Sequence, residues 1–171
     1  MKKIIILLMI SLFLGPLVMG QTKKEKKEAL ETEEFEKMKA LIASGKFDFQ
    51  ADWANAQQGG RINLTTNPNF IKINKDSANI YLPFFGNLFS GTSAITGNSG
   101  IEFEGLMEDY QMTVNDKKQT IGVKFSAISK NEQYDFSLSF FKNGKTLVNV
   151  NSNYRSNIKY DGLTKKPKPK E

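Results

Sequence analysis

From Lys46 onward the apolar residues recur at every second position, and this period of two constrains the fold more than any other feature of the chain. Phe47, Phe49, Ala51 and Trp53 alternate with Asp48, Gln50 and Asp52. Ile121, Val123, Phe125 and Ala127 alternate with Gly122, Lys124 and Ser126; Tyr134, Phe136, Leu138 and Phe140 do so with Asp135, Ser137 and Ser139. Alternation of this kind marks strands with one buried and one wet face. Shorter runs repeat it at Ile62–Leu64, Ile71–Ile73, Ala78–Leu82, Ile101–Gly105, Tyr110–Val114, Lys145–Asn151 and Tyr154–Asp161. Turn residues separate them: Gln57–Gly60, Asn67-Pro68-Asn69, Lys75-Asp76-Ser77, Asn115–Lys118, Lys130-Asn131-Glu132 and Asn143-Gly144. About nine or ten strands joined by short connections imply an all-β fold, a single antiparallel meander curled into a barrel or a sandwich.

The period is different before Lys46. Thr22–Ser44 is rich in strong helix formers, with Leu30, Phe35, Met38, Leu41 and Ile42 roughly on one face, and Ser44-Gly45 is a stop signal. One N-terminal α-helix packed against the sheet is expected. The mixed signs of its charged face favour packing over a membrane-surface role.

Met1–Gly20 has the layout of a secretory leader. Lys2 and Lys3 precede an apolar run, Gly15-Pro16 breaks it, and Val18-Met19-Gly20 offers small residues for cleavage before Gln21. The run from Ile4 to Leu14 is far short of the ~20 residues that span a bilayer. The expected layout is residues 1–20 as leader, 21–45 as helix, 46–163 as the β domain and 164–171 as a disordered, polar Lys/Pro tail. The expected location is periplasmic or secreted, with no transmembrane segment in the mature chain.

Composition removes whole classes of chemistry. The chain has no Cys and no His, which excludes thiol nucleophiles, Cys/His zinc sites and imidazole proton shuttles. No cofactor and no metal is expected. Losing Lys2 and Lys3 with the leader would lower the net charge from +6 to +4. The remaining excess sits in terminal lysines rather than among aromatics, so no nucleic-acid partner is expected.

One stretch interrupts the meander. Pro83 cannot donate to a ladder, Phe84 and Phe85 follow, and Gly86, Gly91, Gly97 and Gly100 punctuate the loop to the next strand. Loops of this length are uncommon in compact domains unless they are lids, binding loops or disordered. Trp53, Pro83, Phe84, Phe85 and Phe89 are therefore the candidate lining of an apolar site at a barrel mouth, although core packing is the simpler expectation for Trp53 and for Phe84 and Phe85. Glu102, Glu104, Glu108 and Asp109 are the one notable carboxylate cluster. A carboxylate hydrolase would need such a pair, but the outer face of an amphipathic strand accounts for Glu102 and Glu104 more simply. No catalytic residue is assigned. The spaced carboxylates of a calcium loop are missing. Gly97-Asn98-Ser99-Gly100 lacks the Lys-Ser/Thr ending of a phosphate cradle.

Tyr81-Leu82-Pro83-Phe84-Phe85-Gly86, then Gly100-Ile101-Glu102-Phe103-Glu104-Gly105, then Asn153–Gly162 resemble three ordered elements of an exported bacterial family, domain of unknown function 4251 (DUF4251). The resemblance covers roughly Phe35 to Leu163. It implies a Bacteroidota-type exported protein with a lipocalin-like β-barrel build, and carries no activity or catalytic residue. Together these readings point to a non-enzymatic periplasmic or secreted binding module for an apolar or amphipathic small molecule. An envelope protein–protein interaction or structural module is the alternative.

Overall fold

Helix α1 (Lys23–Ala43) is the first element of the computed structural model, which describes residues 23–57, 60–89, 100–129 and 131–168. The expected leader, the middle of the Gly86–Gly100 loop and the last three residues of the tail lie outside these residues. The chain divides into two compact units, residues 1–30 and 31–171. In the first, Lys24 and Glu28 form an exposed i,i+4 pair at 3.9 Å, an interaction of small worth.

In the second unit α1 buries Phe35, Met38 and Ile42 in the main apolar cluster. The helix ends where its last carbonyls find partners. The Ser44 amide donates to Ala40 at 3.0 Å and Gly45, at φ 65°, donates to Ile42 at 3.1 Å. A glycine just past the last turn takes this left-handed conformation without Cβ strain.

Ten strands follow: β1 (Lys46–Ala56), β2 (Gly60–Asn63), β3 (Phe70–Asn74), β4 (Ser77–Leu82), β5 (Ile101–Leu106), β6 (Glu108–Asn115), β7 (Thr120–Ser129), β8 (Glu132–Phe141), β9 (Lys145–Ser152) and β10 (Ile158–Lys165). The last strand starts and ends four residues later than its alternation suggested. All pairs are antiparallel, in the order β5-β4-β3-β1-β10-β9-β8-β7-β6, with β2 attached to β1 beside this path. Eight antiparallel steps separate β5 from β6, so the two run in the same direction, and Met107 alone joins them. They are two halves of one bent strand. Its first half pairs with β4, its second with β7, and the Met107 amide donates to the Asp76 carbonyl at the bend at 2.8 Å. The sheet thus comes round on itself as a nearly closed barrel of eight strand positions. Barrels of this size are just wide enough to be filled by their own side chains or to hold one small ligand.

Here the inward positions are filled. Phe47, Phe49, Phe136, Phe140 and Tyr160 are among the largest fully buried side chains and belong to one cluster with Ile71, Ile73, Ile80, Val123 and Leu138. Phe47 and Phe140 meet edge to face at 5.4 Å between centroids, and Phe125 stacks on Phe136 at 4.8 Å. Such contacts add to the area term, which itself is worth about 1.5–3 kcal/mol per large buried side chain.

Candidate functional site

The alternation of β1 breaks at one place. Ala51 pairs with Gly162 and Trp53 with Asp161, so Asp52 is an extra residue, a β-bulge. A regular strand would send Trp53 inward behind Phe47, Phe49 and Ala51. The bulge instead turns Ala54 into the core and leaves Trp53 half-buried on the outer face. The core position expected for Trp53 is thereby corrected.

Three neighbours hold this irregularity. β1 pairs with β3 as far as Phe49 and with β2 from Trp53, which leaves Ala51 without a strand partner on that side. The buried Asn69 side chain fills the gap. Its Oδ1 accepts from the Ala51 amide at 2.6 Å and its Nδ2 donates to the Ala51 carbonyl at 3.0 Å. The bulged Asp52 carbonyl accepts from the Leu64 amide at 2.8 Å. On the other side Gly162 lets β10 approach closely: a Cβ there would meet the Gln50 carbonyl oxygen and come within 2.7 Å of the Ala51 Cα.

Around Trp53 the outer face is not a plain wet surface. The Arg61 guanidinium of β2 stacks over the indole, 4.3 Å from its ring centroid. Asp161 accepts from Asn55 Nδ2 at 2.8 Å and lies 3.7 Å from Arg61. Leu147, 47% exposed, and Leu163 continue the apolar floor from β9 and β10. With Phe141 and the turn residues Lys118, Gln119, Lys142 and Lys145 they bound an open groove of about 790 Å³. Lys142 is engaged, 2.6 Å from Glu31 and 3.2 Å from Gln119. Lys118 and Lys145 form no ion pair among the described residues. Beyond Leu147 and Asp161 a second, more polar depression of about 590 Å³ is lined by Ser137, Ser139, Asn149 and Asn157.

The other candidate residues lie at the end of the barrel where β4 finishes. Phe84 is 4% exposed, with the Arg155 guanidinium 5.1 Å from its ring. The Pro83 carbonyl accepts from the buried Tyr160 hydroxyl at 2.8 Å. Phe85 is partly buried against the core, and Phe89 is 67% exposed. Gly86 to Phe89 are pinned to the β9–β10 connection. Asn87 N donates to Ser156 Oγ at 3.0 Å, Phe89 N to the Tyr154 carbonyl at 2.7 Å, and Leu88 bridges to Arg155. The structure therefore gathers Pro83, Phe84, Phe85 and Phe89 along one connection and puts Trp53 in the separate outer-face groove. Glu102 and Glu104 lie on the exposed side of β5, opposite Tyr81 and Asn79.

Beneath Phe84 is a buried ion pair that the alternation gave no reason to expect. Arg155 Nε donates to Glu132 Oε1 at 2.6 Å and its NH2 to Oε2 at 2.9 Å; the same NH2 reaches the Tyr134 hydroxyl at 2.9 Å. Ser152 donates to Glu132 at 2.6 Å. Burial works against the Glu132 charge, but the hydrogen bonds from Arg155, Ser152 and Tyr134 outweigh it and hold the carboxyl below its ordinary range. Burial first, then the contact with Glu132, pushes the Tyr134 hydroxyl well above its ordinary value. A fully satisfied, aromatic-covered pair of this kind positions loops; it is not shaped to receive a substrate. Its one sequence signal was Arg155, the single charged residue in the run Asn151–Asn157.

The family model described as Domain of unknown function (DUF4251) matches residues 29–164. The chain belongs to the DUF4251 family. A crystal structure of a DUF4251 family protein from Bacteroides eggerthii DSM 20697, at 1.95 Å resolution, is similar to this chain with a TM-score of 0.62 and 18% identity. The match covers 81% of this chain and 91% of that one. At this identity the likeness speaks for the fold alone, and it agrees with the barrel described above. No curated protein matches the chain. In this DUF4251 protein no helix among the described residues is long and apolar enough to cross a membrane.

Proposed function

We propose that this DUF4251 protein is an exported, non-enzymatic binding module whose outer-face groove holds an amphipathic ligand with an anionic head group. Export is supported by the leader-like Met1–Gly20. The ligand class is supported by the groove's two halves: Trp53, Leu147 and Leu163 offer an apolar track, and Lys118 and Lys145 offer positive charge at one end. One observation carries the reading. An extra residue, a buried Asn69 and an obligatory Gly162 together turn an indole out of the core into this groove. Bulges of this sort re-aim side chains next to binding sites. The barrel interior supports the same choice, because its own aromatics fill it.

Trp53 is the chain's single tryptophan, so its emission reports the groove directly. Titration with dodecanoate or dodecyl phosphate, against the neutral dodecyl maltoside, is the test. The expected result is a saturable emission change with the anions. Leu147→Asp or Lys145→Glu weakens it about tenfold, the effect of losing roughly 1.4 kcal/mol of contact, and Phe89→Ala leaves it unchanged. An equal response to the neutral amphiphile, or a response lost with Phe89→Ala and kept with Leu147→Asp, overturns the reading.

A further inference from the structure

The two ends of the strand path behave differently. β5 lies beside β7, which brings the barrel round. Beyond the bend at Met107, β4, which begins at Ser77 opposite Leu106, offers no further partner, and β6 continues past it. Among the described residues no strand pairs with the outer edge of β6, so its backbone N–H and C=O groups on that side have no ladder. Nearly every residue of β6 is exposed, and the inward-facing Tyr110 and Val114 remain 38% and 39% exposed. Long edges with apolar side chains are usually covered or blunted. This edge carries no proline; a bulge at Asp109 and Tyr110 interrupts its first residues, and Gln111–Asn115 pair with β7 without a break.

The charges say what fits it. Glu108 and Asp109 stand at one end of β6, and Lys117 stands in the turn just past the other. Asp116, between them, is engaged by Lys39 at 3.5 Å. An antiparallel neighbour of the same sequence reverses these ends and sets each acidic pair beside the partner's turn lysine. A parallel neighbour would set like against like. We propose that β6 is the seam of a homodimer, in which two copies pair their β6 edges antiparallel about a twofold axis at Thr113. The contact is isologous, as twofold contacts must be. It joins the two barrels' sheets through β6 and covers Tyr110, Met112 and Val114 in both copies. It is a small interface, so the dimer is a weak, salt-sensitive one.

The mature chain is measured by sedimentation equilibrium and by oxidative cross-linking of Thr113→Cys, which is clean because the chain has no cysteine. Opposed residues of an antiparallel pair lie within disulfide reach. The expected result is a dimer at about 1 mM that dissociates in high salt. Lys117→Glu is expected to be monomeric, as is Glu108→Lys with Asp109→Asn, and mixing the two variants restores a heterodimer. Thr113→Cys cross-links about tenfold faster than Ser126→Cys on neighbouring β7, which lies off the axis. Circular dichroism and melting temperature confirm that each variant is folded. A wild-type chain that stays monomeric at about 1 mM, a dimer indifferent to both charge variants, or equal cross-linking at Thr113 and Ser126 overturns the proposal.

Discussion

Asn69 does the work of a missing stretch of strand. Its amide supplies both the acceptor and the donor that Ala51 lacks between β2 and β3. Asn69→Leu keeps the volume but leaves both Ala51 groups buried and unsatisfied. The expected cost is about 2–4 kcal/mol in urea unfolding, with a changed Trp53 emission because the bulge loosens. Gly162→Ala is expected to cost about 3 kcal/mol, since its Cβ overlaps the Gln50 carbonyl of a strand that cannot retreat. At the buried ion pair, Arg155→Met strands the Glu132 carboxylate and is expected to cost about 3–5 kcal/mol, while Arg155→Met with Glu132→Leu recovers most of the loss. The pH dependence follows from the same pair. The folded-state pKa of Glu132 is depressed, so its contribution is fully present above the unfolded value of about 4.3 and is lost as pH falls through the lower folded value. Thermal melts are therefore expected to show wild type and Glu132→Gln running parallel from about pH 7 to 5. Below about pH 4.5 the wild type should fall more steeply.

At the scale of elements, α1 adds Phe35, Met38 and Ile42 to the barrel's cluster. Ile42→Ala leaves a cavity in fully buried surroundings and is expected to cost about 2–4 kcal/mol by chemical denaturation. The helix, the strands and most turns were legible in the sequence because their periods are local properties: Tyr134, Phe136, Leu138 and Phe140 point inward as their spacing requires. Trp53 was misplaced because a bulge is not a local property of β1. Nothing in Phe47–Trp53 marks Asp52 as the extra residue; the cause lies in Asn69 and Gly162, far along the chain. The same holds for Glu132, which reads as a turn residue until Arg155 arrives from the β9–β10 connection. The Pro83–Phe89 segment was legible as an interruption, but not as one pinned to Tyr154 and Ser156. The groove was illegible for a simpler reason. Leu147 and Leu163 occupy alternating outer positions that a period of two assigns to polar residues, and their meaning appears only when β9, β10 and β1 are adjacent.

At the scale of the whole molecule, one bent strand brings an eight-position barrel round on itself, with Phe35, Met38 and Ile42 of α1 and Phe84 buried in its core cluster. In the proposed function the groove beside Trp53 joins an apolar floor to Lys118 and Lys145, which form no ion pair among the described residues. The competing location is the connection carrying Phe85, Leu88 and Phe89. Backbone and indole chemical-shift mapping during titration with dodecanoate separates the two directly. The account predicts that the largest shifts fall on the Trp53 indole N–H and on Arg61, Lys145, Leu147 and Leu163, with Leu88, Phe89 and Arg155 unmoved. Shifts concentrated at Phe85, Leu88, Phe89 and Arg155, with a silent Trp53 indole, would contradict it.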